Sequence, residues 1–122
     1  MVRTGWLTWY RGLDRDQRPA GYAVAIPGLD PREEMAAYLW DLHVAAVGAD
    51  NPTLELWPPD RERHFLHPRL LALLGIPIGE LWQLDDLAQD CAATGTYDAL
   101  LTSAPLRLAG AAASPCNALA IR

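Results

Sequence analysis

His43, His64 and His67 are the only imidazoles in the chain, and Asp50 and Glu80 are the acids whose settings mark them out. His64 and His67 are three apart, a spacing that puts two side chains on neighbouring positions of one helical face. Such a pair binds metal once a further histidine or carboxylate arrives from elsewhere. His64, however, follows Arg61-Glu62-Arg63, and a charge run of this kind reads as solvated loop. His67 lies between Leu66 and Pro68, where a helix is expected to start, and Glu80 comes thirteen residues later. A helix, a glycine cap and a short strand between them could return the chain so that both side chains face one cleft. There they could ligate a divalent metal, or act as base and orienter. Alternatively, His67 caps a helix and Glu80 is a solvated carboxylate at a strand end. Asp50 follows an apolar run and precedes Asn51-Pro52. Carboxylates at the C-terminal ends of strands often face the ligand crevice of α/β folds, and an Asx turn before Pro52 is the alternative. Ser103 has no Gly-x-Ser-x-Gly frame and is set aside as a nucleophile.

Elements with recognisable signals must position these groups. Trp6 to Tyr10 suits a strand end or buried turn, and Leu13 to Ala20 is polar loop. Val24 to Ile26 reads as a short extended piece. Asp30 as N-cap, Pro31 behind it and Glu33 and Glu34 in the first turn open a helix. Its apolar face is expected to be Met35, Tyr38, Leu39 and Leu42. Val44 to Val47 reads as a buried strand, and Gly48 to Asp60 as loop. A second helix is expected over Leu66 to Leu74, with Gly75 as its cap, then a short edge strand Ile76 to Gly79. A third helix covers about Leu84 to Ala93, with Gly95 after its end. Tyr97 to Leu108 and Asn117 to Ile121 read as strands joined by a loop of small residues. Alternating strands and helices give an α/β class, with α+β as the other possibility.

Composition narrows the chemistry. The chain has 122 residues, 51% hydrophobic, with a formal net charge of −5, which fits a single domain over 1–122 with one core. Without a basic cluster, neither nucleic acid nor an anionic membrane surface is an expected partner. All ten positive residues are arginine, which excludes a Schiff-base lysine and a P-loop lysine. Cys91 and Cys116 follow no metal or redox spacing, so a reducing cytoplasm is the expected compartment. No apolar run approaches the ~18 residues of a membrane span, and the start resembles no signal peptide. Five tryptophans fit core or interface positions, with some free to wall an aromatic substrate.

Several segments resemble the cyclase family of metal-dependent hydrolases, the group that includes bacterial kynurenine formamidase. They are Val2-Arg3-Thr4-Gly5-Trp6, Glu34-Met35-Ala36-Ala37 and Val44 to Pro52 (VAAVGADNP). Gly75 to Trp82 (GIPIGELW), Leu101 to Leu106 and Asn117 to Ile121 continue the likeness. The resemblance implies a mixed, partly barrel-like sheet with flanking helices, zinc or manganese as cofactor, and an amide or ester substrate such as N-formylkynurenine. It also implies that His67 and Glu80 are the later histidine and glutamate of the family's metal site, and that Asp50 lies near the cleft. The family's H-x-x-x-H-x-D motif does not occur in this sequence. The chain therefore looks like the C-terminal half of a family member, an incomplete half of the fold. Its expected assembly is a homo-oligomer or a complex with a complementing N-terminal half. The competing function is a non-catalytic remnant or interaction module that has lost the metal site.

Overall fold

The computed structural model describes residues 1–19, 23–59 and 65–122. His64, expected in a solvated loop, lies outside the described residues. The chain divides into two compact units, Met1–Asp85 and Asp86–Arg122, and its class is mixed α/β, as expected from the sequence. The described residues form two small two-stranded sheets and no closed barrel.

The first unit is organised around a short parallel pair, β1 (Val47–Gly48) and β2 (Ile78–Gly79), in register Val47↔Ile78 and Gly48↔Gly79. Val2 adds a parallel bridge to Ala49, its N–H donating to the Gly48 carbonyl at 2.8 Å. Beyond that bridge the expected strand end is instead a helix, α1 (Trp6–Gly12). The reason is local: Gly5 takes a left-handed conformation (φ 83°) that ends the extended segment, and Trp6 then stacks on Tyr10, one turn ahead, at 4.8 Å.

Helix α2 runs Glu33–Asp41, starting later than expected. Asp30 accepts the Arg32 N–H at 3.0 Å, which turns the chain just ahead of the helix, and Glu33 and Glu34 favour its N-terminal dipole. Its buried side is Ala36 and Leu39, whereas Tyr38 and Leu42 are exposed. Leu42 is already the residue after the last helical turn, and His43 leaves it with φ 56°. The expected strand at Val44 to Val47 forms three residues later. The segment Pro68–Leu74 is a π-helix rather than an α-helix, closed by Gly75 at φ 67°, whose N–H returns to the Leu70 carbonyl. Proline in its first turn forfeits no internal hydrogen bond.

Side chains alternate along a strand and register partners share a face. Val47 and Ile78 therefore lie on one side of the pair and Gly48 and Gly79 on the other. The first side builds the core: Val47 and Ala49 join Ala36, Leu39, Leu54, Leu66, Leu70 and Ile76. The second side is covered by the Trp82 indole. A Cβ on Gly48 would stand 2.6 Å from that ring, and one on Gly79 closer still, so both positions demand glycine.

The second unit holds most of α3 (Asp85–Thr94) and an antiparallel ribbon, β3 (Leu100–Thr102) with β4 (Leu119–Ile121). Arg122 ties the end of β4 to α3, pairing with Asp90 at 2.5 Å and donating to Thr94 Oγ1 at 2.9 Å. Strand residues of the ribbon are exposed on both faces. No helix among the described residues is long and apolar enough to cross a membrane.

Candidate functional site

The register that builds the core also aims Glu80. The pairing ends at Gly48↔Gly79, after which the Ala49 carbonyl takes the Trp82 N–H, and Glu80 leaves β2 as the residue that follows Gly79. His67 is the residue from which that helix springs. The two expected site residues are accordingly brought together, with His67 Nε2 3.4 Å from Glu80 Oε1. That separation is beyond a normal N–H···O bond and is that of an ion pair. Leu81 follows at φ 57°, donating its N–H to the Asn51 carbonyl at 3.1 Å, and the Trp82 N–H reaches the Ala49 carbonyl at 3.0 Å. The carboxylate is thus carried on a turn pinned, at both following residues, to the segment just after β1.

A second acid completes the cluster. Glu55, with 2% of its side chain exposed, places Oε2 2.8 Å from His67 Nδ1. Its Oε1 accepts the Leu66 N–H at 3.1 Å and the His67 N–H at 3.5 Å. The buried carboxylate thereby answers free N–H groups at the start of the π-helix and fixes the imidazole ring in the same contact. The hydrogen bond that Nδ1–H donates to Glu55, reinforced by Glu80 and opposed by burial, pushes the His67 pKa up to about 10. With no competing cation, His67 is therefore an imidazolium at neutral pH.

Sequence reasoning missed Glu55. It lies in the segment expected to be loop, which instead packs inside, anchored by Leu29–Glu55 and Ile26–Trp57 bridges. The available signal was a single acid within Leu54-Glu55-Leu56-Trp57, since an ionised group amid apolar neighbours needs a partner.

Asp50 is also buried, with 2% exposed, and is fully engaged with the N-terminal segment. Its Oδ1 accepts the Thr4 N–H at 2.6 Å and the Thr4 hydroxyl at 2.7 Å, and its Oδ2 accepts the Gly5 N–H at 2.7 Å. Its observed work is to tether the start of α1 to the end of β1.

The remaining buried polar atoms matter for what the cluster could bind. Glu80 Oε1 and Asn51 Oδ1 are buried and make no hydrogen bond. Among the described residues, no group of three His, Cys, Asp or Glu side chains is placed to hold a metal. His67 Nε2 and Glu80 Oε1 nonetheless have the spacing of two donors to one ion. Two ligands about 2.1 Å from zinc at the tetrahedral angle are separated by about 3.4 Å.

No family model matches the chain, and no curated protein matches it. It is similar to a solved crystal structure described as a novel cyclase, a member of the cyclase family. The two superpose with a TM-score of 0.84 at 34% sequence identity, over 98% of this chain and 38% of the other. The fold is thus one found in a cyclase, and the chain spans well under half the length of that protein.

Proposed function

We propose that this chain is the C-terminal part of a cyclase-family, metal-dependent hydrolase of an amide or ester, similar to kynurenine formamidase. The observation that carries the reading is the Glu55–His67–Glu80 line. A buried carboxylate on Nδ1 leaves Nε2 directed at a second carboxylate whose oxygen has no hydrogen bond. Histidines that hold metals commonly donate their other N–H to a carboxylate in this way, which fixes ring orientation and tautomer.

In this reading His67 Nε2 and Glu80 would hold zinc or manganese, together with donors from outside the described residues. When bound, the ion supplies Lewis acidity toward a carbonyl oxygen and a more acidic water. The chain's own contributions are orientation and proton control. Glu55 holds the ring, Glu80 offers an oxygen beside it, and the turn through Leu81 keeps that oxygen in place. Asp50 acts at a distance, by holding α1 against the strand end.

The test uses the protein that carries the remaining ligands, assayed with zinc or manganese on an N-formyl aromatic amine. His67→Ala and Glu80→Ala should each remove most hydrolysis, since loss of a positioned proton-transfer group alone costs about 10²–10⁴ in rate. Metal content and thermal unfolding are measured beside activity. Variants that keep full activity and full metal content would refute the reading. A well-folded parent that neither binds metal nor hydrolyses would favour the non-catalytic alternative.

A further inference from the structure

The fully buried Asn51 is left unexplained by packing. Its Nδ2 donates to the Pro27 carbonyl at 2.6 Å and to the Leu54 carbonyl at 3.4 Å. Two carbonyl acceptors fix which end of the amide is nitrogen. Oδ1 is therefore a fixed acceptor, and it receives no hydrogen bond while 0% of the residue is exposed. A buried acceptor without a donor is destabilising, so a ligand that supplies the donor is the physical expectation.

The surroundings say where that donor belongs. Asn51 comes two residues after Ala49, whose carbonyl takes the Trp82 N–H. Its carbonyl takes the Leu81 N–H, next to Glu80, and its side chain reaches the Leu54 carbonyl, next to Glu55. It stands between the two segments that bring the carboxylates to His67, at the C-terminal end of a parallel strand, where ligands of α/β sheets bind. Glu80 Oε1 is the other buried acceptor there that makes no hydrogen bond. Two acceptors need two donors, and one water has two. A carboxylate oxygen has two lone pairs, so Glu80 Oε1 can serve His67 or a cation with one and a water with the other.

We infer that Asn51 is a ligand-positioning residue of this site, holding one water jointly with Glu80 so that Oδ1 and Oε1 each accept one of its protons. Resting on the hydrolase reading, this water is the one the reaction consumes, its oxygen passing to the acyl carbon and its hydrogens to the two products. Asn51 would then set the direction from which that oxygen approaches.

The test is a crystal structure of the metal-free chain at a resolution that orders buried solvent, with a second crystal, of the protein that carries the remaining ligands, soaked in manganese. One water within hydrogen-bond distance of both Asn51 Oδ1 and Glu80 Oε1 is expected. Glu80→Leu should lose it while both Asn51 Nδ2 bonds persist. The inference is overturned if a protein donor reaches Oδ1, if its water does not reach Glu80, or if that water stays at full occupancy in Glu80→Leu. The soak separates this result from the hydrolase reading. A shared water with no manganese at His67 keeps the inference and sinks the metal site, and manganese on His67 without a shared water does the reverse.

Discussion

Replacing Glu55 by glutamine keeps the size of the side chain and changes which atom faces the imidazole. Glutamine can keep an oxygen toward the Leu66 and His67 N–H groups, which leaves its NH₂ toward Nδ1 where Oε2 now stands at 2.8 Å. Nδ1 must then accept, so the ring proton moves to Nε2, the nitrogen that would ligate metal. Two effects are expected together. Because Glu55 is the largest cause of the raised His67 pKa, the value should fall from about 10 back toward the ordinary 6.5. At pH 7 the wild-type ring is protonated, its pKa being raised to about 10, whereas the variant ring should be largely neutral in its Nε2–H form. In the metal-loaded protein, loss of such a supporting carboxylate lowers metal affinity by about 10–100-fold. Imidazole ¹⁵N NMR of the metal-free chain from pH 5 to 11 reads both charge and tautomer, and metal competition reads affinity. A Glu55→Gln ring that still titrates near 10, or carries its single proton on Nδ1, would refute the reasoning.

Other expectations follow from the same geometry. His67 has a folded pKa above its unfolded one, so its stabilising contribution is complete below pH ~6.5 and is lost as pH rises toward 10. Denaturant midpoints at pH 6 and pH 10 should differ in wild type and converge in Glu55→Gln. Manganese should bind the chain alone weakly, and more tightly as pH rises, because a proton must leave His67. Paramagnetic broadening of the His67 resonances measures this, and tight binding at pH 6 would contradict it. Gly79→Ala drives a methyl into the Trp82 ring; overpacking of this kind costs about 1–3 kcal/mol and should lower the melting temperature by calorimetry. Asp50→Ala removes three hydrogen bonds to Thr4 and Gly5, and faster hydrogen exchange in α1 is the expected outcome.

Sequence patterns revealed the pieces with a strong local cause. Gly75 closes its helix with positive φ, Ile78–Gly79 forms a short strand, and His67 meets Glu80. What they missed was decided by tertiary contact. The segment around Glu55 carries loop composition, yet it is buried by bridges to residues some thirty positions earlier. Asp50 was legible as a strand-end acid, but its hydrogen-bond partners come from the chain's first five residues. The aromatic run after Gly5 has strand propensity, and one left-handed glycine redirects it into a helix. For β-rich residue types, propensity is weaker than such context.

The π-helix between His67 and Gly75 makes the site sensitive to chain length in a way that its composition does not reveal. A turn of this kind holds more residues than the 3.6 of an α-helix. Deleting one residue inside 69–73 would let the segment relax into ordinary α-helix, still apolar on its inner side and still capped by Gly75. A second deletion has no such surplus residue to remove, and would rotate the two ends against each other by about 100°, the angle per residue of an α-helix. His67 at one end and the strand leading to Glu80 at the other could not both keep their places. In this part of the chain, a length change beyond that one residue alters the geometry of the Glu55–His67–Glu80 cluster, even where every side chain of the cluster is left intact.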